Sequence, residues 1–266
     1  MVKDLIRPLP GVRQLSLLQQ RMAFRGSALY WERNYARGGT SGLGSYNRPA
    51  KAKAAFVNNF VRAREVTSVI EFGCGDGLQL SLANYPRYIG LDVSRSAIEL
   101  CQRRFAADPT KSFFLYDGAC FADRAGLFAA DLAISLDVIS HLTEDAVFEA
   151  YMRHLFAAAA KFVIVFATNR ERPGTAPHVR HRRFTRWVET HGRGWQLLDV
   201  APGPNHGPDR ADFCTYVRVG RPPSAAGPEI RGGGMLPRSA PTWDGSAPPG
   251  SASSLWRRTW LPEAHR

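Results

Sequence analysis

Residues 69–77 read Val-Ile-Glu-Phe-Gly-Cys-Gly-Asp-Gly, an apolar run closed by an acid and followed by glycine at every second position. The run from Ser68 to Phe72 has the length and composition of a buried strand. Gly73, Gly75 and Gly77 suit a sharp turn and let a ligand approach the backbone without side-chain interference. A helix over Leu78–Ala83 is expected next, with N–H groups at its start open to a carboxylate or phosphate. A dinucleotide fingerprint needs a third glycine where this chain has Leu78, and no Lys-Ser/Thr pair follows to make a P-loop.

Working outward, strand and helix signals alternate, which predicts βαβ units and a mostly parallel sheet. A helix over Ala50–Glu65 places Phe56, Val57, Phe60 and Val61 on one face. Strands are expected at Tyr88–Asp92, Ser112–Tyr116, Leu132–Leu136 and Phe162–Ala167. Ser94 can cap a helix running through Phe105, and further helices are expected over Glu144–Phe156 and Phe184–Thr190. Strands at Gln196–Val200 and Phe213–Val219 would close the domain as an antiparallel edge pair.

Acids recur where these strands end. Glu71 closes the first, Asp92 the second, Asp117 follows the third and Asp137 the fourth. A carboxylate at Asp92 can accept from both hydroxyls of a ribose, and one at Asp117 from an adenine amino group. Any single acid at a strand-to-turn junction is explained by local hydrogen bonding. Four at successive strand ends, beside the glycine turn, favour a ligand site at the carboxyl edge of the sheet.

Residues of about 50–220 resemble a class I S-adenosylmethionine-dependent methyltransferase, through the acid-preceded glycine turn and the strand-end acids. The resemblance implies an α/β, Rossmann-like fold: a seven-stranded, mostly parallel sheet of order 3-2-1-4-5-7-6 with helices on both faces. It implies S-adenosyl-L-methionine as cofactor. Glu71, Gly73 and Gly75 match the first cofactor motif, Asp92 the ribose-binding acid and Asp117 the adenine contact, with Asp137 near the methionine portion. The segment Ser135–Asp145 (SLDVISHLTED) resembles the motif after the fourth strand of small-molecule methyltransferases, where a histidine in the place of His141 faces the acceptor. The NPPY type of motif used on base amines is absent.

His141 is the candidate base, because imidazole takes a proton near neutral pH. A packing histidine ahead of a helix is the alternative, and the sequence leaves both open. Glu144 and Asp145 read as first-turn acids that favour the helix dipole. The segment from Thr168 to Phe184 gathers Arg170, Arg172, Arg180, Arg182 and Arg183 with His178 and His181, either as a cationic pocket or as a solvated loop. The turn carrying His206 and Asp209 is a weaker candidate border of the substrate site. Before the domain, Trp31 and Tyr35 lead into Gly38, Gly39, Ser41, Gly42, Gly44 and Ser45, which suits a lid more than a plain linker.

The 266 residues carry a net charge of +12, with +4 on residues 1–29 and +3 on residues 221–266, so the middle is unexceptional. Arginine-rich composition explains this without a nucleic-acid partner, and no recognisable RNA-binding module accompanies the core. Four cysteines form no zinc spacing, so no metal is expected, and free thiols fit a cytoplasmic location. No stretch is long and apolar enough for a membrane span or signal peptide. The expected organisation is an N-terminal helix with a glycine-rich cap (1–49), where Val12, Leu15, Leu18 and Met22 fall in helical register, the methyltransferase domain (50–220) and a disordered low-complexity tail (221–266). The expected reaction is methyl transfer to an oxygen or nitrogen of a small metabolite or glycan. RNA or protein methylation, and cofactor binding without catalysis, are the alternatives. The sequence is silent on oligomeric state.

Overall fold

The computed structural model of the protein describes residues 24–174, 176–205 and 210–220. Its strands are β1 (Val69–Phe72), β2 (Tyr88–Asp92), β3 (Lys111–Leu115), β4 (Ala130–Leu136), β5 (Ala159–Ala167), β6 (Arg172–Pro173), β7 (Arg180–His181), β8 (Trp195–Pro202) and β9 (Asp212–Arg218). Its helices are α1 (Ser27–Ala36), α2 (Asn47–Ala63), α3 (Arg95–Arg104), α4 (Asp145–Ala158) and α5 (Phe184–His191). Seven strands form one sheet in the order β3-β2-β1-β4-β5-β9-β8. Numbered within that sheet alone, this is the expected 3-2-1-4-5-7-6. β1 to β5 pair in parallel, and β9 runs antiparallel to both β5 and β8.

The period-2 alternation of the central strands divides the core between two faces. Ile70, Phe72, Ala133, Val163 and Val165 pack under Phe148, Met152 and Leu155 of α4 and Phe184 of α5. Val69, Leu132, Ile134, Ile164 and Phe166 pack under Val57 and Val61 of α2 and Ile98 and Cys101 of α3. Each Val, Leu, Ile, Phe or Met among them contributes about 1.5–3 kcal/mol from the area removed from water. Ser94 caps α3, its Oγ accepting from the Ala97 N–H at 3.1 Å. Strand order reverses between β1 and β4, so their carboxyl ends open a crevice where ligands sit in such sheets.

The helix expected over Leu78–Ala83 is not formed: that stretch is one 3-10 turn, Leu80–Leu82. Six residues ahead of Asn84 and Pro86 give too few backbone bonds to offset the cost of nucleating an α-helix. The Ser81 hydroxyl instead donates back to the Leu78 carbonyl at 2.6 Å. Two elements carried no signal in the sequence reading, namely α1 and the β6–β7 hairpin. No helix of the described residues is long and apolar enough to cross a membrane. The stretch with Val12, Leu15, Leu18 and Met22, the pair His206 and Asp209, and the tail from 221 lie outside the described residues.

Candidate active site

Glu71, the last residue but one of β1, is buried and accepts from the Tyr88 hydroxyl at 2.6 Å. Burial pushes the Glu71 carboxyl up to about 7, against the downward pull of the Tyr88 hydrogen bond and the Lys53 charge. The chain then turns through Gly73 and Gly75, both in the left-handed region with φ of 87° and 57°. A Cβ on Gly73 would stand 2.4 Å from Val138 Cγ2, and one on Gly75 would stand 2.4 Å from Ser41 Oγ. Glycine is therefore required by close neighbours as well as by conformation.

The N–H groups of this turn do not wait for an anion. Gly73 and Cys74 donate to the Leu91 carbonyl, and Gly77 to that of Cys74. Gly75 donates to Asp92 Oδ2 at 2.9 Å, Asp76 to Ser41 Oγ at 3.1 Å and Leu78 to Asp76 Oδ1 at 3.0 Å. The expectation that they would receive a carboxylate or phosphate fails, because no helix follows and all six are satisfied within the protein.

Asp92, at the end of β2, is buried and also accepts from the Ser94 N–H at 2.9 Å. Burial raises its carboxyl to about 6, while the backbone N–H groups of Ser94 and Gly75 pull the other way. Asp117 lies exposed just past β3 and accepts from Ala119 N–H at 2.9 Å. Asp137 follows β4 with φ of 62°, uncommon for a residue other than glycine and a feature of functional sites. Its Oδ2 pairs with Lys53 Nζ at 2.5 Å, a lysine of α2 that is 1% exposed. Lys53 had no signal in the sequence, since a lone lysine in an amphipathic helix reads as solvated.

Glu71, Gly73, Gly75, Asp92, Asp117, Asp137 and His141 line one cavity of about 830 Å³. His141 closes the 3-10 turn Ile139–His141 after β4. Its Nδ1 lies 3.1 Å from the His178 carbonyl. A carbonyl only accepts, so Nδ1 carries the proton and Nε2 keeps the lone pair. Burial lowers the pKa of His141, with the His178 carbonyl and the Asp137 charge opposing it. Trp31 meets His141 edge-on with ring centres 4.9 Å apart, and Tyr30 stacks on His178 at 4.1 Å.

The roof of the cavity comes from α1 and the glycine-rich segment behind it. Glu32 holds α1 to the start of α3, its Oε2 accepting from Ser94 Oγ and its Oε1 from Ser96 Oγ, both at 2.7 Å. Glu144 holds the other end, accepting from the Ser27 N–H at 2.8 Å and its hydroxyl at 2.9 Å. Behind α1, Asp76 Oδ2 accepts from Tyr46 Oη at 2.8 Å and from Ser41 N–H at 3.2 Å. Trp31, Tyr35, Ser41 and Ser45 all line the cavity. The arginine-rich stretch divides. Arg180 and Arg182 both pair with Asp145, and buried Arg182 also bonds the carbonyls of Leu142 and Thr143, so these two are structural ties.

The seven-stranded sheet, in this order, is that of the class I S-adenosylmethionine-dependent methyltransferases. Residues 70–161 match the family model described as a methyltransferase domain, which supports S-adenosylmethionine-dependent methyl transfer with S-adenosylmethionine as the cofactor. Over 133 residues the chain is 29% identical to the small RNA 2'-O-methyltransferase of Arabidopsis thaliana, covering 46% of this chain and 14% of that protein. The N-methyltransferase NodS of Bradyrhizobium japonicum WM9, solved with S-adenosyl-L-homocysteine, has a TM-score of 0.57 at 15% identity over 73% of this chain and 98% of that one. The methyltransferase domain of bacterial CtHen1 has a TM-score of 0.50 at 21% identity, over 63% and 98% respectively.

The donor set suits the cofactor's polar groups. Carboxylates at Glu71, Asp92 and Asp117 can accept from hydroxyl and amino groups, and Lys53 supplies a buried cation at the same cavity.

Proposed function

We propose that the protein methylates an oxygen or nitrogen of a small metabolite or glycan, with His141 as the base that takes the acceptor proton. The observation that carries this reading is the gathering of four strand-end acids and a tautomer-fixed histidine around one cavity roofed by α1. In this reading Asp92 accepts from the ribose hydroxyls, Asp117 from the adenine amino group, and Glu71 and Asp137 sit at the methionine end. S-adenosylmethionine, when bound, supplies a methyl group already activated on a sulfonium.

The residues then orient the acceptor, keep water out and remove a proton. Nε2 of His141 is the unprotonated nitrogen, and the lowered pKa keeps it so at neutral pH. A cavity of about 830 Å³ under a tied roof favours a small acceptor or a single terminal group over an extended surface. A terminal ribose hydroxyl of an RNA is the second reading. It is favoured by the likeness to the plant protein named for 2'-O-methylation of small RNA.

The test is incubation with isotopically labelled S-adenosylmethionine and, separately, a metabolite extract, an RNA fraction and a protein fraction. Label in a small product supports the first reading and label in RNA the second. Cofactor binding without label transfer in any fraction would overturn both.

A further inference from the structure

The six N–H groups from Gly73 to Leu78 all donate inside the protein, so the glycine turn does not supply the donor for a carboxylate at the cavity. Lys53 does. Its ammonium is buried, lines the same cavity, and makes its one hydrogen bond among the described residues to Asp137. An ammonium has three donors, so two remain. The Phe166 ring lies 5.5 Å from Nζ on the side of the sheet core, which leaves the cavity as the direction for those donors.

Asp137 is the complementary half. Oδ2 is taken by Lys53, while the side chain as a whole is 34% exposed. Gly44 lies against it so closely that a Cβ there would stand 2.7 Å from Oδ2, so a glycine in the roof is what clears this oxygen. A buried ion pair kept for stability alone is a weak device, because the desolvation penalty can exceed the attraction. Here the pair also holds Asp137 in a backbone conformation that a non-glycine residue rarely takes, at the mouth of a ligand cavity.

We propose that Lys53 and Asp137 act as one pair that reads the α-amino-acid end of the cofactor, Lys53 Nζ donating to its carboxylate and Asp137 Oδ1 accepting from its ammonium. The proposal rests on the reading of this cavity as the S-adenosylmethionine site. It makes Lys53 a binding and positioning residue, and it explains a buried lysine in a helix whose other inward residues are apolar or small.

The test is calorimetric binding of three probes to the full chain. S-adenosylhomocysteine has both charged groups, decarboxylated S-adenosylmethionine has the ammonium alone, and methylthioadenosine has neither. Lys53→Met is expected to weaken S-adenosylhomocysteine roughly tenfold or more, as for the loss of a charge-assisted hydrogen bond. Methylthioadenosine should stay within about twofold of wild type, and the decarboxylated probe should not weaken. Asp137→Asn is expected to weaken both ammonium-bearing probes and spare methylthioadenosine. If Lys53→Met does not fold, the double variant Lys53→Met/Asp137→Leu removes both charges together and should weaken both ammonium-bearing probes while sparing methylthioadenosine. Equal loss across all three probes would make the pair merely structural and overturn the proposal, as would unchanged affinity for S-adenosylhomocysteine. Wild-type protein that binds none of the three would overturn the cofactor reading of the cavity, and the pair with it.

Discussion

Nδ1 of His141 donates to the backbone carbonyl of His178, a residue 37 positions later in the chain, at 3.1 Å. The β6–β7 hairpin supplies that carbonyl, and the His178 ring is clamped in turn by Tyr30 of α1. The state of the candidate base is thus set by two elements outside the sheet. For a hydroxyl acceptor, His141→Ala is expected to lower kcat roughly 10²–10⁴-fold, as for lost general-base catalysis. S-adenosylhomocysteine affinity should stay close to wild type. Burial holds the His141 pKa below its ordinary value of 6.5, so the neutral, active form persists at pH 7 and the acid limb of kcat falls below that value. Wild-type kcat in His141→Ala with a hydroxyl acceptor would remove this histidine from the mechanism.

Asp92 makes a separate prediction about pH. Its carboxyl titrates at about 6 in the folded protein because burial disfavours the charge. Hydrogen bonds from a ribose diol favour the ionised form, so binding at lower pH must first expel a proton. Affinity for S-adenosylhomocysteine is therefore expected to be flat above about pH 7 in this respect and to fall below about pH 6, by at most about tenfold per pH unit for a single group. Asp92→Asn should flatten that limb, and Asp92→Ala should cost roughly 1.5–3 kcal/mol of binding at pH 8. A limb that survives unchanged in Asp92→Asn belongs to another group, with Glu71 the nearest suspect.

The ties at the two ends of α1 give a third expectation. Glu32 is held below the ordinary carboxylate range, chiefly by the Ser94 and Ser96 hydroxyls, and Glu144 below it by Ser27 against the upward push of burial. The Glu32 carboxylate faces the start of α3 and that of Glu144 the start of α1, where a negative charge is favoured. Removing either should let α1 open more often without touching the sheet core. Glu32→Ala and Glu144→Ala are expected to speed amide hydrogen exchange across Ser27–Ala36 and the dissociation of S-adenosylhomocysteine, each roughly tenfold. Exchange that does not change in the double variant would show that aromatic packing alone holds α1.

Much of this was legible in the sequence, for reasons that differ by element. β2 and the caps are local: Tyr88–Asp92 is bounded by Arg87 and Ser94, and the structure places the strand at those residues. The sheet order followed from family likeness, not from periodicity. What was illegible depends on contacts across long separations. Lys53 meets Asp137 84 positions away, and Ser27 meets Glu144 117 positions away. Asp76 carried no signal within the glycine turn, yet it ties the roof to that turn. The 3-10 turn after Gly77 was misread as an α-helix because the apolar pattern of Leu78, Leu80 and Leu82 fits several short conformations.

The glycine-rich segment, which the sequence offered as a lid, is tied to the glycine turn. Ser41 and Asp76 bond each other twice: the Ser41 N–H donates to Asp76 Oδ2, and the Asp76 N–H donates to Ser41 Oγ. Tyr35 Oη also lies 2.9 Å from Ser41 Oγ, so the segment is fastened at its centre. Gly42 follows with φ of 84°, which proline, locked near about −65°, has no means of adopting. Gly42→Pro therefore displaces the roof instead of stiffening it. It is expected to weaken S-adenosylhomocysteine binding while leaving the melting temperature within a few degrees, because the sheet core lies elsewhere. Asp76→Ala differs, since it strands the Ser41, Tyr46 and Leu78 donors at a buried site. It should cost about 1–3 kcal/mol of stability as well as cofactor affinity. Calorimetry and thermal melts on the two variants separate these effects. Wild-type affinity in Gly42→Pro would make the segment a linker and leave α1 as the whole of the roof.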